Sequence, residues 1–108
     1  MTQNRDENKD GKILVRVDPD LADLIPGFLD NRRKDITTMQ EALERDDFET
    51  VRLLGHSMKG AGGGYGFDAI TDIGAVLEEA AKDRNPEAVR RGVSDLAAYL
   101  ERIEVVHD

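Results

Sequence analysis

The rest of the chain is organised around LLGHSMKGAGGGYG, residues 53–66. It holds His56, one of two histidines in the chain, and Lys59 and Gly60 follow three and four positions later. In a helix these offsets place all three residues on the same face. An imidazole, a cation and a residue without a side chain together make a surface suited to holding a phosphoryl group.

Helical phasing predicts that His56 faces water. A helix from Asp47 to about Tyr65, advanced by roughly 100° per residue, gathers the apolar residues of the segment into one stripe. The stripe consists of Val51, Leu54, Met58, Ala61 and Tyr65. His56 falls opposite the centre of this stripe, so the sequence favours an exposed imidazole over a core histidine.

The same phasing places three further residues beside His56. Arg52 lies one turn before the imidazole, Gly63 lies two turns after it, and Leu53 lies on the flank of the same outer face. We therefore predict that Arg52, Leu53 and Gly63 contact a binding partner.

The glycines of residues 60–64 call for an explanation, because each lowers the stability of a helix by about 0.5–1 kcal/mol relative to alanine. Gly60 and Gly63 phase with the imidazole, and clearance for a docking molecule would explain them. Gly62 and Gly64 are expected nearer the buried side, where close helix packing would explain them. Gly66 is predicted to be the left-handed residue that ends the helix.

Outside this stretch, the N-terminal part of the chain carries one strand-like run. Residues 1–12 are polar after Met1 and are predicted to be disordered, which leaves residues 13–108 as the folded domain. Residues 13–17 form the run ILVRV, with no second run to pair with. We therefore expect an extended arm packed against helices rather than a sheet.

Capping signals divide the remainder into helices. Asp18-Pro19 opens a short helix to about Ile25, and a long helix follows to about Arg45. A fourth periodic segment begins near Asp68, and Asn85-Pro86 opens the last helix, whose apolar face extends to Ile103. His107 falls in the terminal tail and is expected to be an ordinary surface residue. Short connections predict an all-α fold, an antiparallel up-down four-helix bundle with a short extra N-terminal helix.

Composition limits the function classes. The 108 residues suit one domain, and the net charge of −8 argues against nucleic acid or an anionic membrane as the main partner. The absence of cysteine excludes disulfides and thiolate chemistry. With no signal-like or membrane-spanning segment in the sequence, we expect a cytoplasmic protein.

The chemistry available to His56 is that of a nucleophile. An imidazole that is largely neutral at pH 7 can attack an acyl or aspartyl phosphate to give a phosphohistidine, and Lys59 and Arg52 could offset the phosphoryl charge. The stretch fits neither the dinucleotide fingerprint nor a P-loop, and too few ligands surround His56 for a metal. On its own helix no carboxylate lies beside His56 to orient it, so the parts of a self-sufficient enzyme are lacking.

These residues resemble the histidine-containing phosphotransfer (HPt) domain of multistep phosphorelays. The resemblance rests on His56-Ser57-Met58-Lys59-Gly60, on Gly66 ten residues after the histidine and on Leu77-Glu78 beyond. It extends from about Val17 to Ile103.

The resemblance implies a phosphoryl carrier without kinase activity, cofactor or metal of its own. His56 would be the phosphorylated residue, Lys59 would interact with the phosphoryl group, and Gly60 would keep the imidazole accessible. The implied partners are response-regulator receiver domains, which would supply Mg²⁺, and hybrid histidine kinases. The expected state is a monomer. The alternative hypothesis is an HPt-like helical adaptor that binds a signalling partner without being phosphorylated.

Overall fold

A computed structural model describes residues 11–107, and within them four helices pack together. Their bounds are α1, Ile25–Glu44; α2, Phe48–Ala61; α3, Asp68–Lys82; and α4, Pro86–Arg102. Two short 3-10 helices, Pro19–Leu24 and Gly63–Tyr65, precede α1 and follow α2. The predicted helical bundle and its short N-terminal helix are therefore present, while the up-down order of the helices stays a prediction. The segment predicted to be disordered lies outside the described residues except for its last two positions.

Side-chain caps begin the helices where the sequence predicts them. The Asp47 carboxylate accepts hydrogen bonds from the Thr50 backbone N–H at 3.1 Å and from the Thr50 hydroxyl at 2.6 Å. The Asn85 side chain accepts from the Ala88 N–H at 3.1 Å. These caps satisfy backbone donors that the first turn of a helix leaves unpaired.

Mostly aliphatic side chains from all four helices form one core with a few aromatic residues. Its fully buried members lie mainly in α2, α3 and α4, with Met39 contributed by α1. The largest of them are Phe67, Met39, Met58, Ile70, Leu77, Leu96, Val51 and Val89. Along α2 the predicted stripe faces this core, although Leu54, Ala61 and Tyr65 are only partly buried.

The prediction that residues 13–17 remain unpaired is wrong. They form strand β1, Ile13–Val17, which pairs in parallel with strand β2, Ile103–His107. Ile13 lies opposite Ile103 and Val17 opposite His107, so His107 belongs to a strand rather than to a free tail.

The physical reason lies in the end of α4. The last helix was expected to include Ile103, but it ends at Arg102, and Ile103 takes extended backbone angles. The run Ile103-Glu104-Val105-Val106 is rich in β-branched residues, which favour strands over helices. Pairing satisfies backbone groups of both runs and buries Val15 and Val17.

The described helices include none that is both long and apolar enough to cross a membrane.

Candidate functional site

His56 lies on the outer side of α2 and is 65 % exposed at its side chain. Its ring is not isolated, because Nδ1 lies 3.1 Å from Oε2 of Glu78 on the neighbouring helix α3. An ionised carboxylate can only accept hydrogen bonds, so Nδ1 is the nitrogen that carries the proton and donates it. In the neutral form of the ring, the other nitrogen, Nε2, then keeps its lone pair.

Glu78 is the centre of this cluster. Its side chain is 9 % exposed, and its other oxygen, Oε1, accepts from the Lys59 ammonium at 2.8 Å. Lys82, one turn later on α3, lies 3.9 Å from Oε2. The hydrogen bond from Lys59 lowers the pKa of Glu78, with a smaller contribution from His56, and together they outweigh the opposing effect of burial. The carboxylate therefore stays ionised and keeps its acceptor role near neutral pH.

Close contact between two helices places Glu78 beneath the imidazole. A methyl group on Gly55 would lie 2.7 Å from the Glu78 backbone nitrogen, and one on Gly74 would lie 2.6 Å from the Lys59 backbone nitrogen. Both distances are shorter than real contacts allow, so α2 and α3 approach backbone to backbone only because both positions are glycine. Gly74 and Glu78 are four residues apart and share the face of α3 that meets α2.

The outer glycines behave differently from one another. A methyl group built on Gly60 meets no atom of the described residues within 4 Å, apart from its chain neighbours and the backbone of its own helix, so this position is open beside Lys59. Gly64 is open in the same way and exposed, which contradicts its expected place near the buried side. Close packing does explain Gly62, where a methyl group would lie 2.6 Å from the Thr71 nitrogen.

The predicted extent of α2 is also wrong. The α-helix ends at Ala61 instead of continuing to about Tyr65, and residues 63–65 form a tighter 3-10 turn. Gly63 is exposed in that turn, so the helical phase that grouped it with His56 does not apply. Gly66 does take the predicted left-handed backbone, with φ of 93°.

The two remaining predicted contact residues lie on α2, before His56. Leu53 is 53 % exposed, which leaves its apolar side chain available for contact with a partner. Arg52 is engaged by Glu49 through two hydrogen bonds, of 3.1 Å and 2.5 Å. The charge that Arg52 presents to a partner is therefore partly compensated within the helix.

Glu78 is a site residue that the sequence pattern around His56 does not predict. No carboxylate lies beside His56 on its own helix, and the one that contacts the ring comes from α3. A signal for it exists in the sequence, since Gly55 lies next to His56 and Gly74 lies one turn before Glu78. Two glycines at a helix crossing permit close approach, and a polar residue one turn away then faces across the interface.

The pH dependence of stability tests the role assigned to Glu78. Because the folded protein lowers the pKa of Glu78, its ionised form stabilises the fold above the ordinary carboxyl pKa of about 4.3. This stabilisation is lost as the pH falls through the lower folded value. Urea denaturation of the wild-type protein and Glu78→Gln should therefore show a wild-type advantage at pH 7 that shrinks steadily below about pH 4.3. A difference that is constant between pH 7 and pH 3 would contradict the ionised carboxylate.

Within residues 11–107, no three His, Cys, Asp or Glu side chains come together as a metal-binding group.

Comparison with known proteins assigns most of the chain to a domain family. A family model described as the Hpt domain matches residues 23–105, which covers all four helices and the start of β2. Neither the search of curated proteins nor the search of solved structures gives a match.

Proposed function

The chain belongs to the Hpt domain family, and on that premise we propose that it carries a phosphoryl group on His56. Hpt domains are phosphoryl carriers rather than kinases, they need no cofactor of their own, and they interact with receiver domains and histidine kinases. In our proposal His56 accepts the group from a receiver-domain aspartate or a histidine kinase. It then passes the group to the aspartate of a response-regulator receiver.

One observation carries the assignment to His56. The hydrogen bond between Nδ1 and Glu78 turns the ring so that one nitrogen faces the protein, while the side chain remains 65 % exposed. The hydrogen bond to the neighbouring carboxylate fixes the tautomer of the imidazole, which leaves Nε2 as the nucleophilic nitrogen. This is the arrangement that general principles require of an activated and oriented nucleophile.

The transfer step follows from this geometry. The Nε2 lone pair attacks phosphorus of the aspartyl phosphate, an N–P bond forms, and the P–O bond to the aspartate breaks, returning a carboxylate to the donor. The ring keeps its Nδ1 proton and gains positive charge, which the Glu78 carboxylate stabilises at 3.1 Å. Transfer to a receiver reverses these bond changes.

Lys59 and Gly60 have separate roles in this proposal. The Lys59 ammonium, 43 % exposed, offsets negative charge on the phosphoryl oxygens. Gly60 leaves open space beside it for those oxygens and for the receiver backbone. Leu53 and Arg52 complete the surface that meets the receiver, together with Gly63, which is exposed in the turn after α2 and not in helical phase with His56. The receiver would hold the Mg²⁺ ion. We expect the carrier to act as a monomer.

Label transfer tests the proposed function. The full chain is incubated with each of a panel of receiver domains carrying ³²P on aspartate, and the label on each protein is followed with time. The proposal predicts an acid-labile, base-stable label on this chain, and loss of that label when a second, unphosphorylated receiver is added. If a receiver binds the chain in a pull-down but never transfers its label, the adaptor hypothesis replaces the carrier hypothesis.

Lys59→Ala should slow phosphoryl uptake by roughly 10- to 100-fold, since one electrostatic contact to the transferring group is removed. The fold should persist, because Glu78 retains His56 and Lys82 as partners. Lys34→Ala is the matched control, since Lys34 is an exposed lysine of α1 that pairs with Asp30. The measurement is the single-turnover rate of phosphoryl uptake by the wild-type protein, Lys59→Ala and Lys34→Ala. Equal rates for wild type and Lys59→Ala would remove Lys59 from the mechanism.

A further inference from the structure

The Thr71 hydroxyl bridges two backbone groups at the end of α2. Gly63 donates its N–H to Thr71 Oγ1 at 2.8 Å, and the hydroxyl donates to the Lys59 carbonyl at 3.1 Å. In a continuous α-helix the N–H of residue 63 would donate directly to the carbonyl of residue 59. A side chain from α3 therefore stands where the next hydrogen bond of α2 would form, and α2 ends at Ala61.

Gly62 is what allows this bridge. A methyl group there would lie 2.8 Å from Thr71 Oγ1 and 2.6 Å from the Thr71 nitrogen, so any larger residue would push α3 away. The Gly62 carbonyl also accepts from the Phe67 N–H at 2.8 Å, which turns the chain into α3. The end of α2 is thus joined to the start of α3 through backbone and hydroxyl contacts alone.

The far side of the turn has a different anchor. The Tyr65 and Phe67 rings lie on Phe28 of α1, with centroid distances of 4.5 Å and 5.5 Å. These aromatic contacts hold residues 65–67 against the core whether or not the bridge is present. Residues 60–64 hold four glycines, whose backbone is the least restricted of any residue. The Thr71 bridge is therefore the contact that acts on the carbonyl of Lys59, at the start of the turn.

We propose that Thr71 is a positioning residue for phosphoryl transfer. By holding the Lys59 carbonyl, it keeps the last turn of α2 helical, so that the Lys59 ammonium stays 2.8 Å from Glu78 and beside the imidazole. Without the hydroxyl, the Gly63 N–H and the Lys59 carbonyl lose a shared partner and the glycine-rich end frays. This inference rests on the proposed function of His56 and extends its machinery to a side chain on α3.

Two substitutions separate the hydroxyl from the shape of Thr71. Thr71→Val keeps the branched shape and removes the hydroxyl, whereas Thr71→Ser keeps the hydroxyl. We expect Thr71→Val to slow single-turnover phosphoryl uptake by about three- to tenfold, the factor that corresponds to one net hydrogen bond. Receiver affinity should be unchanged, and Thr71→Ser should transfer within about twofold of wild type. Thr71→Ala provides a second variant without the hydroxyl if Thr71→Val does not fold.

A double-mutant cycle with Lys59→Ala shows whether Thr71 acts through Lys59. If it does, removing the hydroxyl has little further effect on transfer once the ammonium is absent. A residue that merely stabilises the fold would slow transfer by the same factor in both backgrounds. Equal factors, or transfer by Thr71→Val at the wild-type rate, would overturn the proposal.

Amide hydrogen exchange at Gly63 gives a readout that needs no phosphoryl donor. Exchange should accelerate by about tenfold or more in Thr71→Val and stay near the wild-type rate in Thr71→Ser. Unchanged exchange in Thr71→Val would overturn the bridge even if transfer were slower. If exchange is faster in Thr71→Val but the wild-type protein accepts no phosphoryl group, the bridge exists in the wild type and the proposed function is wrong.

Discussion

His56→Gln is expected to abolish phosphoryl uptake, whereas His107→Gln is expected to leave it unchanged. The two substitutions remove the only histidines of the chain one at a time. Glutamine at position 56 has a side-chain amide that can still donate to Glu78, but it has no ring nitrogen that could form an N–P bond. His107 is exposed in β2 and lies in register with Val17, far along the chain from Lys59 and Glu78.

The measurement is acid-labile label on each variant after incubation with a phosphorylated receiver. Uptake by His56→Gln should fall to the background of a receiver-only reaction, a loss of at least about 1,000-fold because the nucleophile itself is gone. Circular dichroism should show wild-type helix content in both variants. Label on His56→Gln, or its loss in His107→Gln, would place the phosphoryl group elsewhere.

Gly74→Ala is expected to cause a large loss of stability although it adds only one methyl group. The new methyl group would lie 2.6 Å from the Lys59 nitrogen, 2.7 Å from the Gly55 carbonyl oxygen and 2.8 Å from the Met58 Cβ. Backbone atoms cannot rotate away as a flexible side chain can, so α2 and α3 must separate. We expect the free energy of unfolding to fall by about 2–4 kcal/mol and the melting temperature to fall by about 10 °C or more.

Gly60→Ala is the matched control for this prediction. It adds the same methyl group to the helix that Gly74 contacts, at a position with open space among the described residues. Since alanine favours a helix over glycine, Gly60→Ala should keep or raise the stability, by up to about 1 kcal/mol. Thermal unfolding of both variants decides the point. A Gly74→Ala protein that melts within two or three degrees of wild type, roughly the effect of a surface change, would contradict the close helix contact.

Loss of the helix contact should also reduce phosphoryl uptake. Glu78 is one turn beyond Gly74 and owes its distance to His56 to the same crossing. When α3 moves outward, the ring loses the acceptor that fixes its tautomer. A folded fraction of Gly74→Ala should therefore transfer more slowly than the wild-type protein per molecule bound to the receiver.

Local signals explain why the helices could be predicted from the sequence. Asp47 and Asn85 cap their helices through side chains that need only the next three residues. The apolar periodicity along α2 places Val51 and Met58 in the core and leaves His56 outside it. Each of these relations depends on residues within one or two turns, so it can be predicted from the local sequence.

The parts that escaped prediction depend on contacts between distant segments. β1 finds its partner in β2 at the other end of the described chain, and a strand-like run does not name its partner. α2 ends at Ala61 because Thr71 of α3 takes the place of its next hydrogen bond. Glu78 enters the site only through the crossing at Gly55 and Gly74. Each of these features appears only when segments that are distant in sequence are packed together in three dimensions.

The structure shows that one acidic side chain, Glu78, is not part of the exposed acidic surface. A net charge of −8 argues against nucleic acid, but it does not say which acidic groups remain available. The Glu78 carboxylate interacts with His56, Lys59 and Lys82 and is largely shielded from solvent. The buried carboxylate therefore belongs to the chemistry of the site and not to the acidic surface.

The proposal that Nε2 of His56 carries the phosphoryl group is tested by identifying the phosphorylated nitrogen. The chain is labelled with ¹⁵N-histidine, phosphorylated by a receiver or by a small acyl phosphate, and examined by ³¹P–¹⁵N correlation NMR. The account predicts a single N–P coupling, to Nε2 of His56, with Nδ1 still protonated and hydrogen-bonded to Glu78. Coupling to Nδ1 of His56 or to either nitrogen of His107 would contradict it.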